Sequence, residues 1–388
     1  MRNLLLIFLA FSFNICTAQE ISVRLFANYN LTQAWISVHT NPYVLIAVGA
    51  KGATDTLLVL NQDGSTKQLH IQTHPAGLVV KAGDKTIGTY GQIDVIEMGE
   101  NGHFIIKGKG RERIYSGNIT LKKRGNDLLV INQVPLEDYV AGVVESEGGH
   151  VDSYEYFRAQ AVLARTWVMR NWKKHLDEGY NVKDDQSSQA YYSKAYLQNS
   201  AEINRAVQRT KDTVLIYGEK ELVFGAFHAN SGGQTVNAED YWSEAIPYLR
   251  GVVDTFSLRM EKTYWQKEVD KEKFIAFFAE QLKQSGSDTS FRKAVLGIKQ
   301  PTREAWFNYA GKKMKMRAVR EKFQLRSTFF SVTDAGANVV LNGRGFGHGI
   351  GLSQEGAMRM AELGYNYKTI LQFYFQGTRL GALSEIRP

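Results

Sequence analysis

The sequence predicts an α+β protein, with a β-rich N-terminal region followed by a mixed α/β region that runs to the end of the chain. Three observations carry this expectation. Short β-branched and aromatic runs separated by turn residues fill residues 20–132. At Pro135 the hydrophobic period changes from two to helical. Beyond it, amphipathic patterns alternate with polar and glycine-rich segments. With 388 residues and 44% hydrophobic content, the chain can bury a sizeable core in two or three domains.

The first residues read as a secretory signal peptide over residues 1–18. Met1-Arg2-Asn3 precede an apolar run from Leu4 to Phe13, and Cys16-Thr17-Ala18 supply a small-residue cleavage site after Ala18. Lipidation at Cys16 is the alternative, although Phe13-Asn14-Ile15 lacks the small residues such a site needs. No later apolar run reaches about 18 residues, so no transmembrane span is expected after signal removal. An exported protein of the periplasm or cell envelope follows. Cys16 is the single cysteine of the chain, so a mature protein would form no disulfide and use no thiolate nucleophile or thiolate metal ligand. The net charge of +8 suits an anionic envelope polymer, and solubility alone would also account for it. No Lys/Arg block or zinc-finger spacing accompanies the charge, and no nucleic-acid partner is expected.

Strands are expected near residues 21–26, 44–48, 56–60, 78–81 and 128–131, with turns at Asp63-Gly64 and Glu100-Asn101-Gly102. Helices are expected near 135–147, 153–175, 200–209, 270–284, 353–363 and 367–375.

The helix over 135–147 carries chemistry in its spacing. Pro135 suits a first helical position, Glu137 and Asp138 suit the positive end of the dipole, and Gly148-Gly149 would terminate it. Leu136, Val140, Val143 and Glu147 share one stripe, while Asp138 and Glu145 share another. This projection makes Glu145 the solvated carboxylate and withdraws Glu147 partly from water. Desolvation favours the protonated form that a general acid requires, so Glu147 is the acid candidate. The alternative is a frayed helix end with Glu147 in solvent.

The next helix opens with Asp152 and Glu155 at capping-box spacing and packs through Phe157, Ala161, Ala164 and Val168. Gln160, Arg165 and Thr166 on the same turns either line a cleft or satisfy backbone groups beside it. The segment from Phe227 to Thr235 places His228, Asn230 and Ser231 before a Gly-Gly turn. There His228 has three open readings: metal ligand, base for Ser231, or hydrogen-bonding loop residue.

Near the C-terminus, glycine occupies every second position of Gly343-Arg344-Gly345-Phe346-Gly347-His348-Gly349-Ile350-Gly351. In an extended chain the glycines would form one bare face, with Arg344, Phe346, His348 and Ile350 opposite. Such a face admits close approach of another backbone or of a ligand. The run fits neither a dinucleotide fingerprint nor a nucleophile elbow in any register. Ser353 suits the N-cap of the following helix.

Taken together, residues 134–144 with Glu147, the block from Arg158 to Thr166, Phe227-His228 through Gly233, Arg326-Ser327, and the glycine run with Ser353-Gln354 and Gly356-Ala357 resemble the sporulation stage II protein D family, which includes amidase-enhancer proteins. The resemblance covers about residues 115–380 and divides the mature chain into a β-rich region, 19–114, and a catalytic domain, 115–388. It implies a peptidoglycan lytic transglycosylase acting on peptide-stripped glycan strands. Glu147 would be the single acid/base at the MurNAc-GlcNAc linkage, leaving a 1,6-anhydro product. Gln160, Arg165, His228, Ser231, Arg344, His348, Ser353 and Gln354 are the substrate-binding candidates. The principal alternative is a glycan-binding module that recruits or activates a separate cell-wall amidase, and a hydrolase using His228 and Ser231 is a third reading. Two departures stand out. Many relatives carry Met-Pro after the glutamate, where this chain has Gly148-Gly149. Some bind zinc through a histidine matching His228 together with cysteines, which a mature chain here would lack, so neither a metal nor another cofactor is expected.

Overall fold

The computed structural model describes residues 19–49, 53–60, 68–110, 112–148, 151–192 and 198–386. The expected signal peptide with Cys16, the Asp63-Gly64 turn and Gly149 lie outside the described residues. The fold is α+β, with a β-rich N-terminal region.

Twelve strands lie between Glu20 and Pro135 among the described residues. They form two sheets. One runs in the order Val182–Lys183, Glu20–Leu25, Asp127–Pro135, Asn118–Arg124, Gln92–Glu97, Tyr43–Val48, Thr54–Leu60. The other runs Arg113–Ser116, His103–Lys107, Gln33–Thr40, Gln68–His74, Gly77–Ala82, Lys85–Tyr90. Alternate residues such as Ile36, Leu45, Ile71, Val80, Ile93 and Phe104 are buried between them, as period-two patterning requires.

Helix α1 (Leu136–Gly148) leaves directly from the strand Asp127–Pro135. It packs against α2 (Tyr154–Arg170) and α3 (Ser200–Arg209). The small residues Ala161 and Ala164 are buried there beside Val140 and Val143. The core between the sheets is continuous with this helical core. Around residue 115 the sheets do not break, because Asn118–Arg124 and Asp127–Pro135 pair with each other and with Gln92–Glu97 and Glu20–Leu25.

The capping box expected at Asp152 and Glu155 does not form. Ser153 occupies the N-cap position without a side-chain cap, and Glu155 instead accepts the Tyr367 amide at 2.7 Å and pairs with Arg158. A short α4 (Ala238–Tyr241) follows the His228 segment.

A second hydrophobic core forms between residues 264 and 344. Its antiparallel sheet runs Tyr264–Asp270, Asn338–Arg344, Phe330–Ala335. Against it pack α5 (Lys271–Leu282), α6 (Thr289–Leu296) and α7 (Met316–Lys322), through Phe274, Phe278, Phe291 and Val319. The chain then returns to the first core with α8 (Gln354–Glu362) and α9 (Tyr367–Tyr374). Among the described residues, no helix is long and apolar enough to cross a membrane.

Candidate active site

A cleft of ≈ 600 Å³ opens where the end of α1, the loop 186–189, the segment 224–229 and the glycine run meet. Glu147, His228, His348 and Gln354 line it. The first of these is supplied by the last turn of α1. Glu147 is half-buried, and its Oε1 accepts the Ala190 amide at 3.1 Å. Two residues on, the Tyr192 amide donates to Ser146 Oγ at 2.9 Å, so the loop clamps the helix end at two points. Burial raises the Glu147 carboxyl above its ordinary pKa, and the Ala190 hydrogen bond opposes that shift only in part.

The glycine after Glu147 has a local cause. A Cβ at Gly148 would run into the Tyr156 hydroxyl, which rises from α2 beneath the helix end. Gln354 Nε2 meanwhile donates to the Glu147 carbonyl at 3.2 Å. Buried Tyr156 and Gln354 thus pack where the chain bends away from the acid.

Contrary to the helical projection, Glu145 is not solvated: it is 5% exposed. The loop carrying Tyr191 and the strand ending at Ser116 cover its stripe. Ser116 Oγ donates to Asp138 at 3.2 Å, and the Glu145 charge acts on the buried Tyr191 hydroxyl.

Opposite Glu147 the cleft wall is aromatic. The His348 ring lies 5.5 Å from His228, 6.0 Å from Tyr241 and 5.7 Å from Trp242, centroid to centroid. His228 Nδ1 lies 3.1 Å from the Ile350 carbonyl, which fixes its proton on Nδ1. His348 Nδ1 accepts the Ile350 amide at 3.0 Å, leaving its proton on Nε2 toward the Phe227 carbonyl. Burial, then the charges of Arg320 and Arg303, lower His348 to about 4. Burial, His348 and Arg303 hold His228 well below its ordinary value. Both imidazoles are neutral near pH 7, and among the described residues no group of three or more His, Cys, Asp or Glu side chains could hold a metal ion.

The glycine run departs from its expected geometry. The strand ends at Arg344, and the later glycines turn through left-handed conformations, with φ of 114° at Gly347 and 69° at Gly351. A close approach does occur, and it is by backbone. A Cβ on Gly347 would lie 2.7 Å from His228 Cβ, and one on Gly351 would strike the Ala226 carbonyl. Phe227–His228 pairs in parallel with Leu352–Ser353, and Asn230 bridges Phe346, so two segments far apart in sequence interlock beneath the cleft.

The other binding candidates do not line the cleft. Gln160 is fully buried in α2. Arg165 is also fully buried, and it binds Glu137 through Nε at 2.9 Å and Nη2 at 2.5 Å while donating to the Thr213 carbonyl at 3.0 Å. It joins α1 and α2 to the strand Thr213–Tyr217. Ser231 Oγ is buried and donates to Asp254 at 2.8 Å, well committed away from His228. Ser353 is the N-cap of α8, and its Oγ also accepts the Ser231 amide at 3.1 Å. Arg344 lies 4.0 Å over the Phe329 ring and donates to the Gln300 and Pro301 carbonyls, on the far side of the strand end.

Arg303 was not expected. Its buried guanidinium donates at 3.3 Å to the carbonyls of Ser231, Gln234 and His348, bolting the two motif segments together. Burial, then Arg320, depresses it to about 10. It sits outside any periodic element, so spacing gave no signal for it. Tyr241, Trp242 and Arg320 were likewise missed as cleft residues, because two elements distant in sequence, the end of α4 and α7, bring them there.

These features define an α+β protein whose cleft holds one helix-borne carboxyl against a wall of neutral imidazoles and aromatic rings. The family model described as Stage II sporulation protein matches residues 124–217, which span α1 and α2. The chain is 35% identical over 260 residues to Stage II sporulation protein D of Bacillus amyloliquefaciens, covering 64% of this chain and 74% of that one. It is 33% identical over 290 residues to the Bacillus subtilis protein of the same name, covering 70% and 82%. Over 289 residues it is 27% identical to an amidase enhancer of Bacillus subtilis, covering 62% of this chain and 40% of the enhancer. The protein belongs to the stage II sporulation protein D family.

Proposed function

We propose that this protein has a cell-wall-related role, acting as an exported peptidoglycan lytic transglycosylase on peptide-stripped glycan strands. The observation that carries this reading is Glu147, a carboxyl with a raised pKa at the mouth of an aromatic-walled cleft. As the acid, it donates its proton to the oxygen linking N-acetylmuramic acid to N-acetylglucosamine, and the C1–O bond breaks. As carboxylate, it takes the proton of the muramyl C6 hydroxyl while that oxygen bonds to C1. Atoms balance without water, and the new end is a 1,6-anhydro sugar. The ring faces of Tyr241, Trp242 and Phe346 suit the apolar faces of a sugar chain. His228 and His348, as neutral groups, do not compete for the proton. In this reading residues 115–388 carry the chemistry.

The test is to incubate purified protein with peptide-free glycan strands and weigh the fragments. Anhydro-muramyl ends support the reading, and reducing ends would turn it toward hydrolysis. Similarity to an amidase enhancer favours a second reading, a glycan-binding recruiter of an amidase. Intact strands that remain bound would select that one.

A further inference from the structure

Among the described residues the cleft wall carries one carboxylate, Glu147, and two cations, Lys174 and Arg320. The cations differ in how they are held. Lys174 is exposed, its ammonium donates to the Ser187 carbonyl, and it lies 5.3 Å over the Trp167 ring. Arg320 is half-buried on α7 in the second core, where its Nε donates to the Arg326 carbonyl at 3.3 Å, and it reaches across to the first core, where Nη1 donates to the Tyr241 hydroxyl. No carboxylate among the described residues lies within ion-pair distance of it, and its Nη2 makes no hydrogen bond to them.

A guanidinium withdrawn from water without a counter-anion is costly, and it matches a carboxylate through two parallel hydrogen bonds. The Tyr241 ring lies 5.9 Å from the guanidinium, but the titratable neighbours supply no negative charge. His348 and His228 are neutral, and Arg303 is itself a cation. The position therefore calls for an anion delivered by whatever fills this aromatic-walled cleft.

We propose that Arg320 is a specificity determinant that binds the free lactyl carboxylate of a muramyl residue, distinguishing glycan with free carboxylates from glycan whose carboxylates are amidated. This inference rests on the peptidoglycan reading above. Joining a peptide to that carboxylate converts an anion into a neutral amide, which removes the charge Arg320 would read and adds bulk at the same point.

The test uses the full chain with Glu147→Gln, so that bound strands are not cut. Three probes are titrated: peptide-free muramyl oligosaccharides, the same oligosaccharides with carboxylates converted to methylamides, and chitooligosaccharides. The free-carboxylate form is expected to bind on the order of tenfold or more tightly than the methylamide, the scale of one hydrogen bond to a charged group. Arg320→Gln should erase most of that ratio, and Arg320→Lys should keep part of it. Equal binding of the two muramyl probes overturns the inference alone, whether or not the variants fold, as does a ratio unchanged in folded Arg320→Gln. Failure of all three probes to bind overturns the peptidoglycan reading and this inference with it.

Discussion

Gln354 donates its side-chain amide to the backbone carbonyl of Glu147 at 3.2 Å, tying the first turn of α8 to the last turn of α1 across 207 residues of sequence. The bond leaves the Glu147 carboxyl free to face the cleft, because it holds the residue by its main chain. Gln354→Ala is expected to loosen the acid without removing it. Turnover on peptide-free glycan should fall with affinity little changed, and unaltered turnover would deny the positioning role.

Glu147→Gln is expected to lower turnover by roughly 10²–10⁴-fold, the usual worth of a positioned acid/base. The same variant has a stability signature. A carboxyl whose folded pKa is raised costs nothing while both states are protonated. It then weakens the fold as pH rises from the unfolded value through the folded one. Glu147→Gln should therefore melt progressively higher than the parent as pH is raised from about 4 to 8. A constant difference in melting temperature across that range would contradict the raised pKa.

The histidines have the opposite sign. His348 titrates near 4 in the folded protein against an ordinary 6.5, so the unfolded chain binds the extra proton first. Stability from this group is complete above about 6.5 and is lost as pH falls toward 4, by up to about 3 kcal/mol. Imidazole resonances of His228 and His348 should show no titration between pH 6 and 8. A mid-point near 6.5 would mean that water reaches the pair.

Breaking the buried Arg165–Glu137 pair should act on the fold. Arg165→Met leaves Glu137 without its partner, and removal of one member of a buried pair costs about 3–5 kcal/mol. Denaturant unfolding measures the loss. Glycan affinity of the folded fraction should match that of the parent, and a selective loss of affinity would return Arg165 to the binding surface.

Gly148→Ala drives a methyl into the Tyr156 hydroxyl, an overpacking worth about 1–3 kcal/mol. Tyr156→Phe in the same chain should recover part of the stability and of the activity. Additive effects of the two changes would show that the clash is relieved elsewhere.

Much of the fold is legible in the sequence. The strands near 21–26 and 44–48 and the helices near 135–147, 200–209 and 367–375 match observed elements to within a residue or two at each end, because long amphipathic periods and alternation survive packing. The second core was legible only in its helix near 270–284, observed as Lys271–Leu282. Helices Thr289–Leu296 and Met316–Lys322 have eight and seven residues, too few for a period to emerge, and they are held by contacts to a sheet whose strands are distant in sequence.

The sequence by itself determined the α+β class, the helix that presents Glu147, the N-cap at Ser353 and a close approach at the glycines by either a backbone or a ligand, since these follow from local sterics and from the angular spacing of side chains. That the approach is by backbone was decided by the fold. Tertiary structure alone decided what covers each face. A helical period separates Glu145 from Glu147 by about 200°, yet it says nothing of which neighbour arrives on either side. Here a tyrosine-bearing loop seals Glu145 while the cleft opens at Glu147. The same holds for Arg165, Ser231 and Arg344, whose hydrogen-bonding groups were satisfied by backbone and carboxylate partners that only the folded chain brings within reach.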